Sequence, residues 1–144
     1  MVCLGNICRS PLAQGILEVK APSHWRIDSA GTSSLHTGER PDTRSILTAK
    51  GRGIDIDGQK SRPFIIEDFD HFDIIFAMDS SNFTNLIRLA PNDLVKNKVR
   101  LIMNEAYPGE NRQVPDPYSG GQNSFEEVFD MLELAIEKFL EHQL

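Results

Sequence analysis

Residues 3–11, Cys-Leu-Gly-Asn-Ile-Cys-Arg-Ser-Pro, restrict what this chain can fold into more than any other stretch. The "MVCL" leading into them reads as a short apolar strand. The "SPLAQGILEVK" that follows reads as a helix, with Leu12, Gly15, Ile16 and Val19 at helical spacing. Ser10 suits the cap of that helix and Pro11 its first position. Between strand end and helix start the backbone has to wrap tightly, and Gly5 and Asn6 are residue types that tolerate positive φ. A loop curled this way turns successive N–H groups inward, forming an anion-binding nest that the helix N-terminus reinforces. Leu4, Gly5, Asn6, Ile7, Cys8 and Ser10 are therefore candidate phosphate-binding residues, and Arg9 adds a planar fork matched to two phosphate oxygens.

The rest of the chain continues the alternation. "WRIDSAG" reads as a strand, "RPDTRSILTAKGRG" as a helix closed by Gly51 or Gly53, and "FDIIFAMD" as the clearest strand. "SSNFTNLIRLAP" is a helix stopped by Pro91, "KVRLIM" a further strand, and "NEAYPGENRQVPDPYSGGQ" a loop. In "SFEEVFDMLELAIEKFLEHQ", Ser124 and Glu127 have capping-box spacing, and Phe125, Val128, Leu132, Ala135, Ile136 and Phe139 form a buried stripe. Such βα alternation predicts an α/β domain with a parallel sheet and helices on both faces. Ligands of these folds bind at the carboxyl ends of strands, where residues 3–11 would lie. A first strand of about four residues beginning at Met1 is short against the usual five or six, leaving two readings, a truncated strand or one that continues upstream.

At 144 residues the chain fits one domain spanning residues 1–144. A net charge of −6 argues against a nucleic-acid partner. No apolar run approaches the roughly 18 residues of a membrane span, and the chain enters its first apolar segment without a leader pattern. Two cysteines do not make a disulfide scaffold, so a reducing, cytoplasmic setting is expected. No metal-ligand spacing occurs, and neither metal nor cofactor is expected. Nothing in the pattern specifies an oligomeric state.

Cys3 would sit on the floor of the nest, where the field that attracts phosphate also favours thiolate. A thiolate beneath a phosphoryl group is placed to attack phosphorus, with the Ser10 hydroxyl as a donor to sulfur. Taken singly, each residue fits a buried core cysteine or an incidental arginine; Cys-x5-Arg-Ser-Pro with an internal Gly-Asn does not. The leaving alkoxide or phenoxide needs a general acid. Asp116, between Pro115 and Pro117, is the candidate, although loop aspartates usually form turns.

"VCLGNICRSP" together with "DPY", supported by "DSAGT", "FDIIFAMDSSN" and the terminal helix, resembles the low-molecular-weight protein tyrosine phosphatase family over essentially the whole chain. The resemblance implies a four-stranded parallel sheet and a two-step, metal-free hydrolysis of phosphotyrosine through a cysteinyl-phosphate. It makes Cys3 the nucleophile, Arg9 the phosphate and transition-state ligand, and Asp116 the acid and then base. It implies that Asn6 and Ser29 hold the loop, that Ser10 supports the thiolate, and that Asp79 braces the loop or merely caps the next helix. It also implies a reversible Cys3–Cys8 disulfide, the alternative being that Cys8 simply packs beneath the loop. The implied partner is a phosphotyrosine protein, with a tyrosine kinase controlling polysaccharide export among the candidates.

The chain departs from that family in places. Leu35 stands beside His36 where an aromatic wall is common, and Ser119 follows Tyr118 where a second aromatic is common, so weaker affinity for a phenyl ring is expected. His36 reads as a surface residue. Gln14 and Gln59 stand where relatives have charged supports, which keeps hydrogen bonding. Ile7, where phosphoarginine-directed relatives tend to have threonine, favours phosphotyrosine. Thiol-dependent arsenate reduction would need further cysteines, and a phosphate-binding protein without turnover would need neither Cys3 nor Asp116.

Overall fold

A computed structural model describes residues 1–143. Its elements run β1 (Val2–Cys3), α1 (Arg9–Lys20), β2 (Ala30–Gly31), α2 (Thr43–Gly51), α3 (Asp68–His71), β3 (Ile75–Ala77), α4 (Ser80–Leu89), α5 (Asp93–Lys96), β4 (Val99–Leu101), a 3-10 turn (Ile102–Glu105) and α6 (Gln122–Gln143). The four strands are all parallel in the order β2-β1-β3-β4. The expected α/β architecture, a four-stranded parallel sheet covered by helices on both faces, is therefore the observed one.

Period-two alternation along the strands separates the two cores. Val2, Ile75, Ala77, Val99 and Leu101 pack with Phe69 and Leu86 on the α4 side. Cys3, Phe76 and Met78 pack on the other side with Leu12 and Ile16 of α1 and Val128, Phe129, Leu132 and Ile136 of α6. The buried stripe expected for α6 is present, extended by Phe129 and Leu140. Truncating fully buried Phe129 would cost about 3–5 kcal/mol. Chain order leads from β1 outward to β2 and then back across to β3, so the carboxyl end of β1 is the switch point of the sheet. The loop after β1 emerges there.

Local details differ from expectation. Only Ala30 and Gly31 of "WRIDSAG" are strand, because the chain turns away once Thr32 and Ser33 have donated to the carbonyls of Cys3 and Leu4. On its outer side β2 bridges residue 63, which covers the sheet edge. Ser10 does not cap α1: the helix begins at Arg9 after Cys8, which makes no side-chain cap, and the Ser10 hydroxyl is engaged elsewhere. α6 starts two residues before Ser124, so the expected capping box does not form. Gln122 instead donates to the Arg44 carbonyl at 2.9 Å and to Thr48 Oγ1 at 2.7 Å. The short helices α3 and α5 carry no long periodic pattern and are absent from the sequence reading.

Candidate active site

The loop from Cys3 to Ser10 is held by its outward-facing carbonyls. Gly5 O accepts from Ser61 Oγ at 3.0 Å, Ile7 O from the Asp42 N–H at 2.7 Å, and Cys8 O from Ser45 Oγ at 3.2 Å. With these carbonyls turned out, the intervening N–H groups face the loop interior, the arrangement a tetrahedral anion requires. Asn6 alone adopts positive φ, at 57°, and its Oδ1 accepts from the Arg62 N–H at 3.0 Å. Gly5, expected to share that role, has ordinary φ. It is glycine for space, since a Cβ there would lie 2.9 Å from Cδ2 of His36. At Gly31 a Cβ would come within 2.8 Å of Leu4 O, so the strand beside the loop also needs glycine.

Cys3 Sγ is buried at the end of β1, where it accepts from the Asn6 N–H at 3.3 Å and lies 3.0 Å from Ser10 Oγ. The direction of that second bond follows from its neighbours. Asn6 Nδ2 donates one hydrogen to Ser10 Oγ at 2.7 Å and the other to Ser29 Oγ at 2.9 Å. Ser29 passes its own hydrogen to Gln14 Oε1 at 2.6 Å. Ser10 is thus an acceptor from Asn6 and directs its hydrogen to sulfur. Two donors are aimed at one sulfur.

Arg9 opens α1 and is 2 % exposed. Its Nη1 donates to Asp79 Oδ2 at 2.7 Å and to Val114 O at 2.9 Å, while Nη2 lies 3.9 Å from Asp116 Oδ2. Among the described residues Nε and Nη2 make no protein hydrogen bond, which leaves the two-donor edge of the fork for a ligand. Asp79 combines the two roles considered for it: it holds Arg9 with Oδ2 and caps α4 by accepting the Asn82 N–H on Oδ1 at 2.8 Å.

Asp116 stands on a separate loop and has a side chain 47 % exposed. Its Oδ1 accepts the Tyr118 N–H at 3.0 Å. Tyr118 is 52 % exposed, and Leu35, on the loop after β2, is 78 % exposed. His36, read as a surface residue, is half-buried: its ring covers Gly5 while Nδ1 pairs with Glu39 at 2.8 Å. Ile7 is buried with Cys8 and Phe125. Burial pushes the Cys8 thiol up to about 12, with Asp42 adding to the effect. Gln59 donates to Pro11 O at 3.1 Å, and with Gln14 it keeps the hydrogen bonding expected of it. No group of three or more His, Cys, Asp or Glu side chains able to hold a metal occurs among the described residues.

The structure brings Cys3, Asn6, Ser10, Ser29 and Gln14 into one network, and Arg9, Asp79 and Asp116 into another. Sequence reasoning missed Asp42, Ser45, Ser61 and Arg62, whose contacts are tertiary. Arg62, ion-paired bidentately with buried Asp68, presents its backbone N–H to Asn6. Only Asp42 had a local signal, an aspartate set before a helix it now caps.

The family model described as low molecular weight phosphotyrosine protein phosphatase matches residues 1–144. Over 139 residues the chain is 44 % identical to a putative low molecular weight protein-tyrosine-phosphatase of Synechocystis sp., covering 93 % of this chain and 88 % of the relative. The fold is similar to a crystal structure of a protein tyrosine phosphatase from Entamoeba histolytica with Hepes in the active site. That match has a TM-score of 0.90 and 38 % identity, covering 99 % of this chain and 96 % of the other. The fold also resembles a Drosophila arginine phosphatase, with a TM-score of 0.89, 33 % identity and coverage of 99 % and 94 %.

Proposed function

The chain belongs to the low molecular weight phosphotyrosine protein phosphatase family, and from that membership we propose that it hydrolyses phosphotyrosine through a cysteinyl-phosphate formed on Cys3. The observation carrying the proposal is the buried Cys3 sulfur that accepts from Asn6 and Ser10 beside the open edge of Arg9. Hepes, present in the active site of the Entamoeba structure, carries a sulfonate, a tetrahedral oxyanion of the kind this reading calls for.

In the first step the Cys3 thiolate attacks phosphorus, the phosphorus–phenol oxygen bond breaks, and Asp116 gives its proton to the leaving oxygen. Arg9 and the inward N–H groups carry the charge spread over the three equatorial oxygens. In the second step Asp116 takes a proton from water, which attacks phosphorus. The sulfur–phosphorus bond breaks, and phosphate leaves with Cys3 again a thiolate stabilised by Ser10. No metal or cofactor takes part.

Hydrolysis of p-nitrophenyl phosphate tests this directly. Cys3→Ser should lose about 10⁴-fold or more of the activity, and Asp116→Ala about 10²–10³-fold. Phosphate binding by the wild type without release of nitrophenol would sink the enzymatic reading. A second reading, phosphoarginine hydrolysis, is favoured by the likeness to the Drosophila enzyme. Ile7 in place of threonine supports phosphotyrosine. Steady-state comparison of phosphotyrosine, phosphoserine and phosphoarginine peptides decides between them, and a higher kcat/KM for phosphoarginine would reverse the assignment. The proposed setting is the cytoplasm, with a phosphotyrosine-bearing tyrosine kinase as a candidate substrate. A Cys3–Cys8 disulfide is the proposed protection against peroxide: sulfenic acid formed on Cys3 condenses with the Cys8 thiol and releases water. Recovery by dithiothreitol should then be poorer in Cys8→Ser, and equal recovery would remove the disulfide.

A further inference from the structure

The loop that carries Asp116 is poorly equipped to hold itself. Pro115 and Pro117 have no N–H to donate, and the Asp116 side chain makes one local bond, from the Tyr118 N–H. Within the loop the Gly120 N–H donates to Pro117 O at 2.9 Å. The carbonyls of Tyr118 and Gly120 are engaged from outside, by one side chain. Arg44, in the first turn of α2, donates from Nη1 to Gly120 O at 2.8 Å and from Nη2 to Tyr118 O at 2.9 Å.

The same guanidinium is fixed at its other edge. Its Nε donates to Asp42 Oδ1 at 3.0 Å and its Nη2 to Asp42 Oδ2 at 2.9 Å. The Arg44 fork holds the Asp42 carboxyl below the usual carboxylate range. One face lies 4.4 Å from the Phe125 ring centroid, and the Tyr118 ring is 5.6 Å away. Asp42 in turn gives its backbone N–H to Ile7 O of the nucleophile loop. A continuous path therefore runs from Ile7 through Asp42 and Arg44 to Tyr118 and Gly120, joining the loop with Cys3 to the loop with Asp116.

We propose that Arg44 is a positioning residue that sets the place of the Asp116 carboxyl over the nucleophile loop by clamping the carbonyls of Tyr118 and Gly120 to Asp42. The proposal rests on Asp116 being the general acid. Lysine cannot reproduce the clamp, because a point charge does not span a carboxylate and two carbonyls in one plane. A misplaced acid penalises the leaving group in proportion to its need for a proton.

The test is the dependence of kcat/KM on leaving-group basicity, using aryl phosphates from 2,4-dinitrophenyl to unsubstituted phenyl. This ratio reports phosphorus–oxygen cleavage and excludes the later hydrolysis of the cysteinyl-phosphate. Wild type, Asp116→Ala, Arg44→Met and Arg44→Lys are compared, with thermal melting to establish folding. Asp116→Ala should steepen the dependence. Arg44→Met, which keeps packing on Phe125 but has no donors, should lose about 10-fold or more on phenyl phosphate and far less on the dinitrophenyl ester. Arg44→Lys should fall between. A loss equal across all leaving groups, or no loss, in both Arg44 variants overturns the proposal while leaving the phosphatase reading intact. An unchanged slope in Asp116→Ala removes the acid itself and the proposal with it.

Discussion

The nucleophile loop and the acid loop are built to opposite standards. Asn6, Arg9 and Ser10 are buried, and the hydrogen bonds of their loop run to residues 29–33, 42–45 and 61–62, to Asp79 and to Val114. Asp116 and Tyr118 are exposed; their loop is tied at its start by Val114 to Met78 and Arg9, and past Asp116 the carbonyls of Tyr118 and Gly120 are held by Arg44. The difference follows from what each must do. In the proposed reaction charge on sulfur and phosphorus would be stabilised best by dipoles held in place, and the buried, multiply bonded cradle holds its groups so. In that reaction Asp116 would meet a proton, a phenol and then a water, and its exposure puts solvent within reach.

Arg9→Lys breaks this comparison most strongly if the cradle is as described. The substitution replaces a fork, already committed through Nη1 to Asp79 and Val114, by a point charge. Activity should fall about 10²–10³-fold, and by the same factor for every leaving group, because the equatorial oxygens are common to all. A leaving-group-dependent loss would place Arg9 with the acid rather than the cradle. Asn6→Ala comes next. It removes the left-handed residue and strands Ser29, Ser10 and the Arg62 N–H, so global stability should drop by about 2–4 kcal/mol. Denaturant unfolding measures it, and a change under about 0.5 kcal/mol, the scale of a surface substitution, would mean the network is not under load.

The same contrast governs what was legible in the sequence. The cradle is contiguous, so Cys3, Asn6, Arg9 and Ser10 could be read from one run of residues. β3 was legible as an apolar run bounded by aspartates, and α6 from the long apolar stripe along it. Ser10 was read both as a helix cap and as a donor to the Cys3 sulfur; a hydroxyl committed to sulfur cannot also cap, and only the second role is present. Ser45, Ser61 and Arg62 left no local trace, since each touches the loop from a distant segment through a bond that any hydroxyl or any backbone N–H can make. Arg44 was invisible for the same reason: an Asp-x-Arg at a helix start is ordinary until the acid loop arrives above it.

Cys8 sharpens the comparison from inside the cradle. Burial raises its thiol from 9.0 to about 12, so the folded protein keeps it neutral while the unfolded chain ionises near 9. A raised folded value gives stability that is whole below about pH 9 and is lost as pH climbs toward 12. Between pH 9 and 10 the loss should stay under about 1.4 kcal/mol. Other groups titrate there as well, so the readout is the stability gap between wild type and Cys8→Ala, which should shrink as pH rises. A gap independent of pH would mean that water reaches the underside of the loop.

The smallest expected effect lies at the rim, where the two loops meet solvent. Leu35 is more exposed than any other large side chain of the loop after β2, and Tyr118 supplies an aromatic ring on the acid loop. A phenyl ring held between them gains dispersion from Leu35 but no aromatic pairing. Leu35→Tyr should therefore strengthen binding of phenyl phosphate by about 0.5–1 kcal/mol, two- to five-fold in KM, because aromatic pairs contribute about that much beyond their area. Inhibition by inorganic phosphate should not change, since it has no ring and occupies the cradle alone. If phosphate inhibition moves together with KM, the substitution has disturbed the cradle through His36 and Gly5. If neither moves, Leu35 does not face the substrate, and the wall opposite Tyr118 is built by another part of the chain.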